Sequence, residues 1–255
     1  MESEIHDWVT QLGNQNQVAA YRAYKHIEKA ATRAGAPGNE QRRADLAAAL
    51  VAELLAKGEP PKDKKGKPKG PPGPLYPAGV REKICRLLSY IAGAGEVPAL
   101  VEVLDDLDVR EMARFALDRN TSDAATDALV AALEQVGPVF RTGVVNALGK
   151  RQGPKVLGTL QKTAREEAIP EVRIVAVEAL ANIPEPSNAD VVMKATKCPL
   201  PGHKRRAYKA AVRLAGNLAG AGHKSAAAQL YQTIQAGDAD EAQKKAAGLG
   251  LKDLA

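Results

Sequence analysis

The sequence predicts an all-α chain: a right-handed α-solenoid of about five stacked helix pairs with a helical extension at its N-terminus. Three observations carry this. Alanine occurs 47 times and leucine 25 times in 255 residues, whereas Phe, Tyr and Trp together number nine. Small apolar side chains suit closely packed helices and serve strands badly, because strands favour β-branched and aromatic residues. Prolines 138, 154, 170 and 186 fall sixteen residues apart, with Pro201 fifteen further on and Ser122 sixteen before the first. Proline is tolerated in the first turn of a helix and serine is a good N-cap, so each mark opens one helix. Finally, one apolar pattern recurs at 80, 109, 140 and 172, with spacings of 29, 31 and 32.

Taken in order, residues 1–57 read as N-terminal helices, a divergent repeat or an extension. Val18, Tyr21, Tyr24 and Ile27 recur at helical spacing, Gly35 to Asn39 break the pattern, and Leu46, Leu50, Leu54 and Leu55 line a second helix. Residues 58–77 hold seven prolines and almost nothing apolar, which predicts a flexible Lys/Pro/Gly-rich loop. Residues 78–255 read as the repeat solenoid. Its copies are Val80-Arg81, Ile84, Leu87-Leu88; Val109-Arg110, Ala113, Ala116-Leu117; Phe140-Arg141, Val144, Ala147-Leu148; and Val172-Arg173, Ala176, Ala179-Leu180. Positions 1, 5 and 8 of each copy share one helix face. The intervening helices are amphipathic too, so a lone pair cannot hide its stripes and stacking is required.

The pattern Val-Arg-x-x-Ala-x-x-Ala-Leu, complete at 172–180, resembles the second helix of a HEAT repeat. It is nearest the short bacterial type also called phycobilisome-lyase HEAT-like. The resemblance runs from about 78 to 185 and implies a fold far more than an activity. It implies that the arginine ladder, Arg81, Arg110, Arg141 and Arg173, ties neighbouring repeats together; Asp106, Asp108 and Glu171 are the expected acidic partners.

The chemistry expected of an enzyme is not written in the chain. None of His6, His26, His203 and His223 is followed by Glu or pairs with another histidine at helical spacing, so the His-Glu dyads of HEAT-like di-iron hydroxylases are missing. No P-loop, nucleophile elbow or dinucleotide fingerprint occurs. Bilin handling, which the lyase-like family name brings to mind, finds no supporting motif. Trp8 is the single tryptophan, so the aromatic-lined face of HEAT-fold DNA glycosylases is not reproduced. Cys85 and Cys198 form no metal-ligand spacing. No enzyme activity, cofactor or metal is expected. No apolar run reaches the roughly 18 residues of a membrane span. The acidic start lacks an apolar h-region, which makes the cytoplasm the default compartment; removal of a signal from a precursor would make it an exported protein.

Two binding modes follow. The first is a non-catalytic scaffold that holds a protein partner through the repeat groove, at positions 3, 7 and 10 of the copies: Glu82, Arg86, Glu111, Phe115, Asp118, Asn146 and Glu178. Phe115 is the aromatic on this mostly polar face and the natural anchor. The alternative is a binder of anionic polymers, nucleic acid or acidic protein, which the localisation of charge favours. The formal charge is +6, yet the stretch 57–69 is +4 and the stretch 204–224 is +6, leaving the remainder acidic. Lys62, Lys64, Lys65, Lys67 and Lys69 sit in the loop; Arg206, Lys209 and Arg213 share one helix face. Nucleic acid is the lesser expectation, because only Tyr208 offers a stacking ring within the basic helix.

Overall fold

The computed structural model describes residues 2–151 and 153–254. Among them the chain forms fourteen α-helices: α1 (Glu2–Leu12), α2 (Gln17–Ala34), α3 (Glu40–Leu55), α4 (Ala78–Ile91), α5 (Val97–Glu102), α6 (Arg110–Arg119), α7 (Asp123–Gln135), α8 (Pro138–Leu148), α9 (Pro154–Glu166), α10 (Pro170–Leu180), α11 (Asn188–Ala195), α12 (Pro201–Gly220), α13 (Lys224–Ala236) and α14 (Glu241–Leu254). Among these residues strand pairing is limited to two isolated bridges. The fold class is therefore all-α, of the α-solenoid type built from helix pairs. The chain divides into two compact units, Met1–Ala128 and Leu129–Ala255, with the division inside α7.

The proline marks act as expected. Pro138, Pro154, Pro170 and Pro201 each occupy the first residue of a helix, where the missing N–H costs nothing. Ser122 caps α7 by accepting the Ala125 N–H at 3.2 Å. Pro186 differs: it lies in the turn two residues ahead of α11. The repeated apolar positions form the core. Val80, Val109, Phe140 and Val172 at position 1, and Ile84, Ala113, Val144 and Ala176 at position 5, are all buried. Each buried Val, Ile or Phe among them contributes about 1.5–3 kcal/mol, and each alanine about 0.8.

In the first unit α1 packs on α2, α3 on α4 and α5 on α6. The first members also pack side by side, α1 on α3 and α3 on α5, and so do the second members, α2 on α4 and α4 on α6. The result is a two-layer stack of three pairs, in which the helices before residue 58 take part. The basic segment joins the two members of the second pair. It forms a narrow hairpin: the Gly58 N–H donates to Gly73 O at 2.9 Å and Leu75 N–H to Ala56 O at 2.7 Å. At the tip, Asp63 accepts the N–H groups of Lys65 and Lys67, and Gly66 at φ +79° takes a left-handed conformation that suits glycine. Its base is pinned where buried Tyr76 donates to Glu53 at 2.6 Å; the same carboxylate meets His6 Nδ1 at 3.0 Å.

In the second unit α9 packs on α10, α11 on α12, and α13 on both α12 and α14. The layer α8, α10, α12, α14 is continuous through contacts of each with the next. Buried Asn188 stitches one turn, donating to Leu180 O and Ile183 O at 3.2 and 3.0 Å while accepting from Gln161. Buried polar side chains need such partners, and this one has them.

Candidate interaction surface

Three of the four ladder arginines, Arg81, Arg141 and Arg173, are structural ties. Arg81, 8% exposed, donates to Asp106 at 2.6 Å. Arg141 donates to Val136 O and to Glu167 at 2.9 Å, and Arg173 donates to Glu167 O at 3.0 Å. Asp106 is thus a partner as expected. Asp108 instead contributes its N–H to Asp106, and Glu171 serves Arg206 and His203 rather than a ladder arginine.

On the first unit, the outward face of α2, α4 and α6 carries the aromatic and cationic side chains of interest. Phe115 on α6 is half-buried, with the Arg86 guanidinium 5.8 Å from its ring centre. Arg119 lies 5.8 Å from the same ring and 5.9 Å from that of Tyr90, while its Nε donates to Ser89 O. Tyr90 neighbours Tyr24 of α2; burial first, then Tyr90 and Glu28, push the Tyr24 hydroxyl up to about 12. A continuous chain Tyr24–Tyr90–Arg119–Phe115–Arg86 therefore crosses three helices. Each guanidinium–ring contact is worth about 0.5–1 kcal/mol at such an exposed site. Neither Arg86 nor Arg119 meets a carboxylate among the described residues, so both keep donors for a partner. Glu82 and Glu111 rim the face; Glu82 is exposed and Glu111 pairs with Arg114 at 3.0 Å. Asp118 is half-buried on the same helix.

Sequence reasoning reached Arg86 and Phe115 through position 7 of the copies and missed Tyr90 and Arg119. The signal was present: both stand at position 11, one helical turn beyond position 7 and on the same face.

On the second unit Asn146 is exposed on α8. Glu178 on α10 and Arg206 on α12, assigned above to two different binding modes, bind each other. Arg206 Nε and Nη2 donate to the two Glu178 oxygens at 2.7 and 2.6 Å, and Nη1 donates to Glu171 at 2.6 Å. These carboxylates hold the Arg206 proton well above the usual guanidinium range; in turn the Arg206 hydrogen bond lowers Glu171. Arg206 is consequently neutralised within the fold, because α10 and α12 are neighbours and their facing side chains have opposite charge. Arg213 donates to Glu178 O at 2.8 Å and Lys204 is paired with Asp238. Lys209 is exposed. The basic face expected on this helix is thus reduced to Lys209 and the outer part of Arg213. In the hairpin Lys62 pairs with Glu59 at 2.8 Å, and Lys64, Lys65, Lys67 and Lys69 are exposed.

No metal-holding group of His, Cys, Asp and Glu occurs among the described residues. Cys85 is buried, and desolvation pushes its thiol up to about 12. No helix among the described residues is long and apolar enough to cross a membrane.

Residues 97–181, which include α5 to α10, match the sequence family of HEAT repeats. Residues 97–181 carry HEAT repeats. The match spans three of the four copies read from the sequence. Solved structures with related helix stacking include the complex of CpcE and CpcF of phycocyanin lyase from Nostoc sp. PCC7120, at 17% identity, TM-score 0.45, covering 98% of this chain and 94% of that one. Human deoxyhypusine hydroxylase in complex with glycerol matches at 16% identity and TM-score 0.37, covering 84% of this chain and 96% of that one. A designed armadillo repeat protein in complex with the peptide (KR)4 matches at 18% identity and TM-score 0.32, covering 99% of this chain and all of the other. No curated protein sequence matches the chain.

Proposed function

We propose that this HEAT-repeat chain is a non-catalytic scaffold that holds a protein partner on the second-helix face of its repeats, with Phe115 as anchor. One observation carries the reading: an aromatic ring sits on an outward helix face between two guanidiniums that meet no carboxylate among the described residues. Aromatic and arginine side chains of this kind dominate protein interfaces. Arg86, Tyr90 and Arg119 work with Phe115, and Glu82, Glu111 and Asp118 edge the same face. Asn146, exposed on α8, is proposed as a separate contact within the second unit; there Glu178 fixes α10 to α12. The segments 1–57, 58–77 and 78–255 are then opening helices, basic arm and repeat body.

A second reading assigns anionic polymers to the basic arm. Its supporting observation is that Lys64, Lys65, Lys67 and Lys69 are exposed on a hairpin whose base is anchored by Tyr76. A pull-down from source-cell lysate at low and high salt, with nuclease, separates the two. The scaffold reading expects a defined protein retained at high salt, lost with Phe115→Ala or Arg86→Glu, and kept when the five hairpin lysines become glutamine. Retention of nucleic acid alone, lost with the lysines, overturns it in favour of the arm. Four phosphate contacts on duplex DNA would give a log–log salt slope of about −3.6.

A further inference from the structure

The second unit holds a cleft of about 400 Å³ bounded by the end of α9, by α10 and α11, and by the first turn of α12. Its floor is apolar, with Ile174, Val177 and Val191 buried beneath it. Its rim is basic: Arg165, Arg173, Lys194, Lys197 and His203 line it, and no carboxylate does. Lys194 is paired with Asp190 at 3.3 Å and His203 with Glu171 at 3.1 Å. Arg173 spends one N–H on Glu167 O. Arg165, Arg173 and Lys197 have no carboxylate partner among the described residues.

We propose that this cleft binds a small organic carboxylate with an apolar body. The body rests on Ile174, Val177 and Val191; the carboxylate meets Arg173 and the rim charges of Arg165 and Lys197. The volume falls in the range of small-molecule sites, about 300–1,000 Å³. An apolar floor beneath unpaired cations answers both halves of such a ligand. A nucleic acid would want the reverse, an extended basic track without a bounded apolar floor. The site lies wholly in the second unit and uses none of the residues around Phe115, so it stands apart from the scaffold reading.

Cys198 lines the same cleft and is half-exposed, whereas Cys85 is buried. Cys198 therefore reports on the site. The full-length chain is treated with the neutral disulfide 4,4′-dithiodipyridine. The Cys198 thiolate attacks one sulfur, the reagent's S–S bond breaks as the mixed disulfide forms, and the released pyridine-4-thiolate takes up, through solvent, the proton the thiol gave up, becoming the absorbing 4-thiopyridone. Added 2-naphthoate is expected to slow this labelling in a saturable way, whereas acetate, a head without a body, and benzyl alcohol, a body without a head, leave it unchanged. The dianionic reagent 5,5′-dithiobis(2-nitrobenzoate) is expected to react faster than the neutral one by about tenfold, relative to a free cysteine amide, since a one-sign cleft concentrates counter-ions. That advantage should fade between about 0.01 M and 0.5 M salt. Lys197→Gln with Arg165→Gln, both exposed, should abolish the advantage and weaken the protection. The proposal is overturned if 2-naphthoate gives no protection, if benzyl alcohol protects equally, or if the double variant behaves as the parent.

Discussion

Gly149→Ala probes how closely the second helices of successive repeats approach. Gly149 follows α8 at φ −63°, ψ −9°, a conformation that alanine adopts readily. On backbone grounds alone the substitution would stabilise by about 0.4–1 kcal/mol. Space decides otherwise. A Cβ placed there would lie 2.6 Å from the Cβ of Ala179 and 3.1 Å from its Cα. Carbon atoms pack best at about 3.5–4.0 Å, and alanine has no rotamer with which to yield. The two helices must separate by nearly an ångström, and overpacking of this kind costs about 1–3 kcal/mol. The expected net loss is about 1–2 kcal/mol, or roughly 2–8 °C in Tm for a chain of this size. Urea and thermal unfolding followed by far-UV circular dichroism measure it. Gly158→Ala, within α9 and with nothing within 4 Å of the added methyl, is the control and should stabilise by about 0.5–1 kcal/mol. Adding Ala179→Gly to Gly149→Ala should recover part of the loss. If Gly149→Ala proves as stabilising as Gly158→Ala, the close packing of α8 on α10 is refuted.

Asp106→Asn should cost about 1.5–3 kcal/mol at neutral pH, because it weakens the partner of buried Arg81. Burial raises the Asp106 carboxyl, but hydrogen bonds from Arg81 and the Asp108 N–H outweigh it and hold the group below the usual carboxylate range. The pair's contribution is therefore present above about pH 4, the unfolded value, and is lost as pH falls through the folded one; the gap between parent and variant in urea titrations should close in acid. Arg206→Gln should raise the Glu171 pKa, read by carbon NMR titration, and a double-mutant cycle with Glu178→Gln should show a coupling of about 1 kcal/mol, modest because the pair is partly exposed. A thiol count on the native chain should give one reactive cysteine, Cys198, with Cys85 appearing only on unfolding.

Much of the fold was legible because repeat architecture writes itself as period. Proline and serine marked six helix starts or turns, and positions 1 and 5 of the copies located the core. The first pair escaped that register because its helices lack proline starts; α3 finds its partner α4 only across a twenty-residue hairpin. The composition of 58–77 predicts a flexible loop and hides the hairpin, since its order rests on backbone bonds and on Tyr76, one residue at the end of the segment. At the candidate surface Arg86 and Phe115 were visible from their shared register. The Glu178–Arg206 pair was not, because the α12 helix is shifted in phase against the copies and its arginine falls on an apolar position of the pattern. Charge runs count formal charge along the chain; they do not see the carboxylates that the neighbouring repeat supplies.

The central claim is that a protein partner lies across the α4–α6 face. A photo-crosslinking amino acid at position 82, at the exposed edge of that face, compared in source cells with the same group at position 62 on the hairpin, tests it most directly. The account predicts a protein adduct of one defined mass from position 82, absent from position 62 and lost when Phe115→Ala is added. Adducts from position 62 alone, or nuclease-sensitive adducts at either, would contradict it.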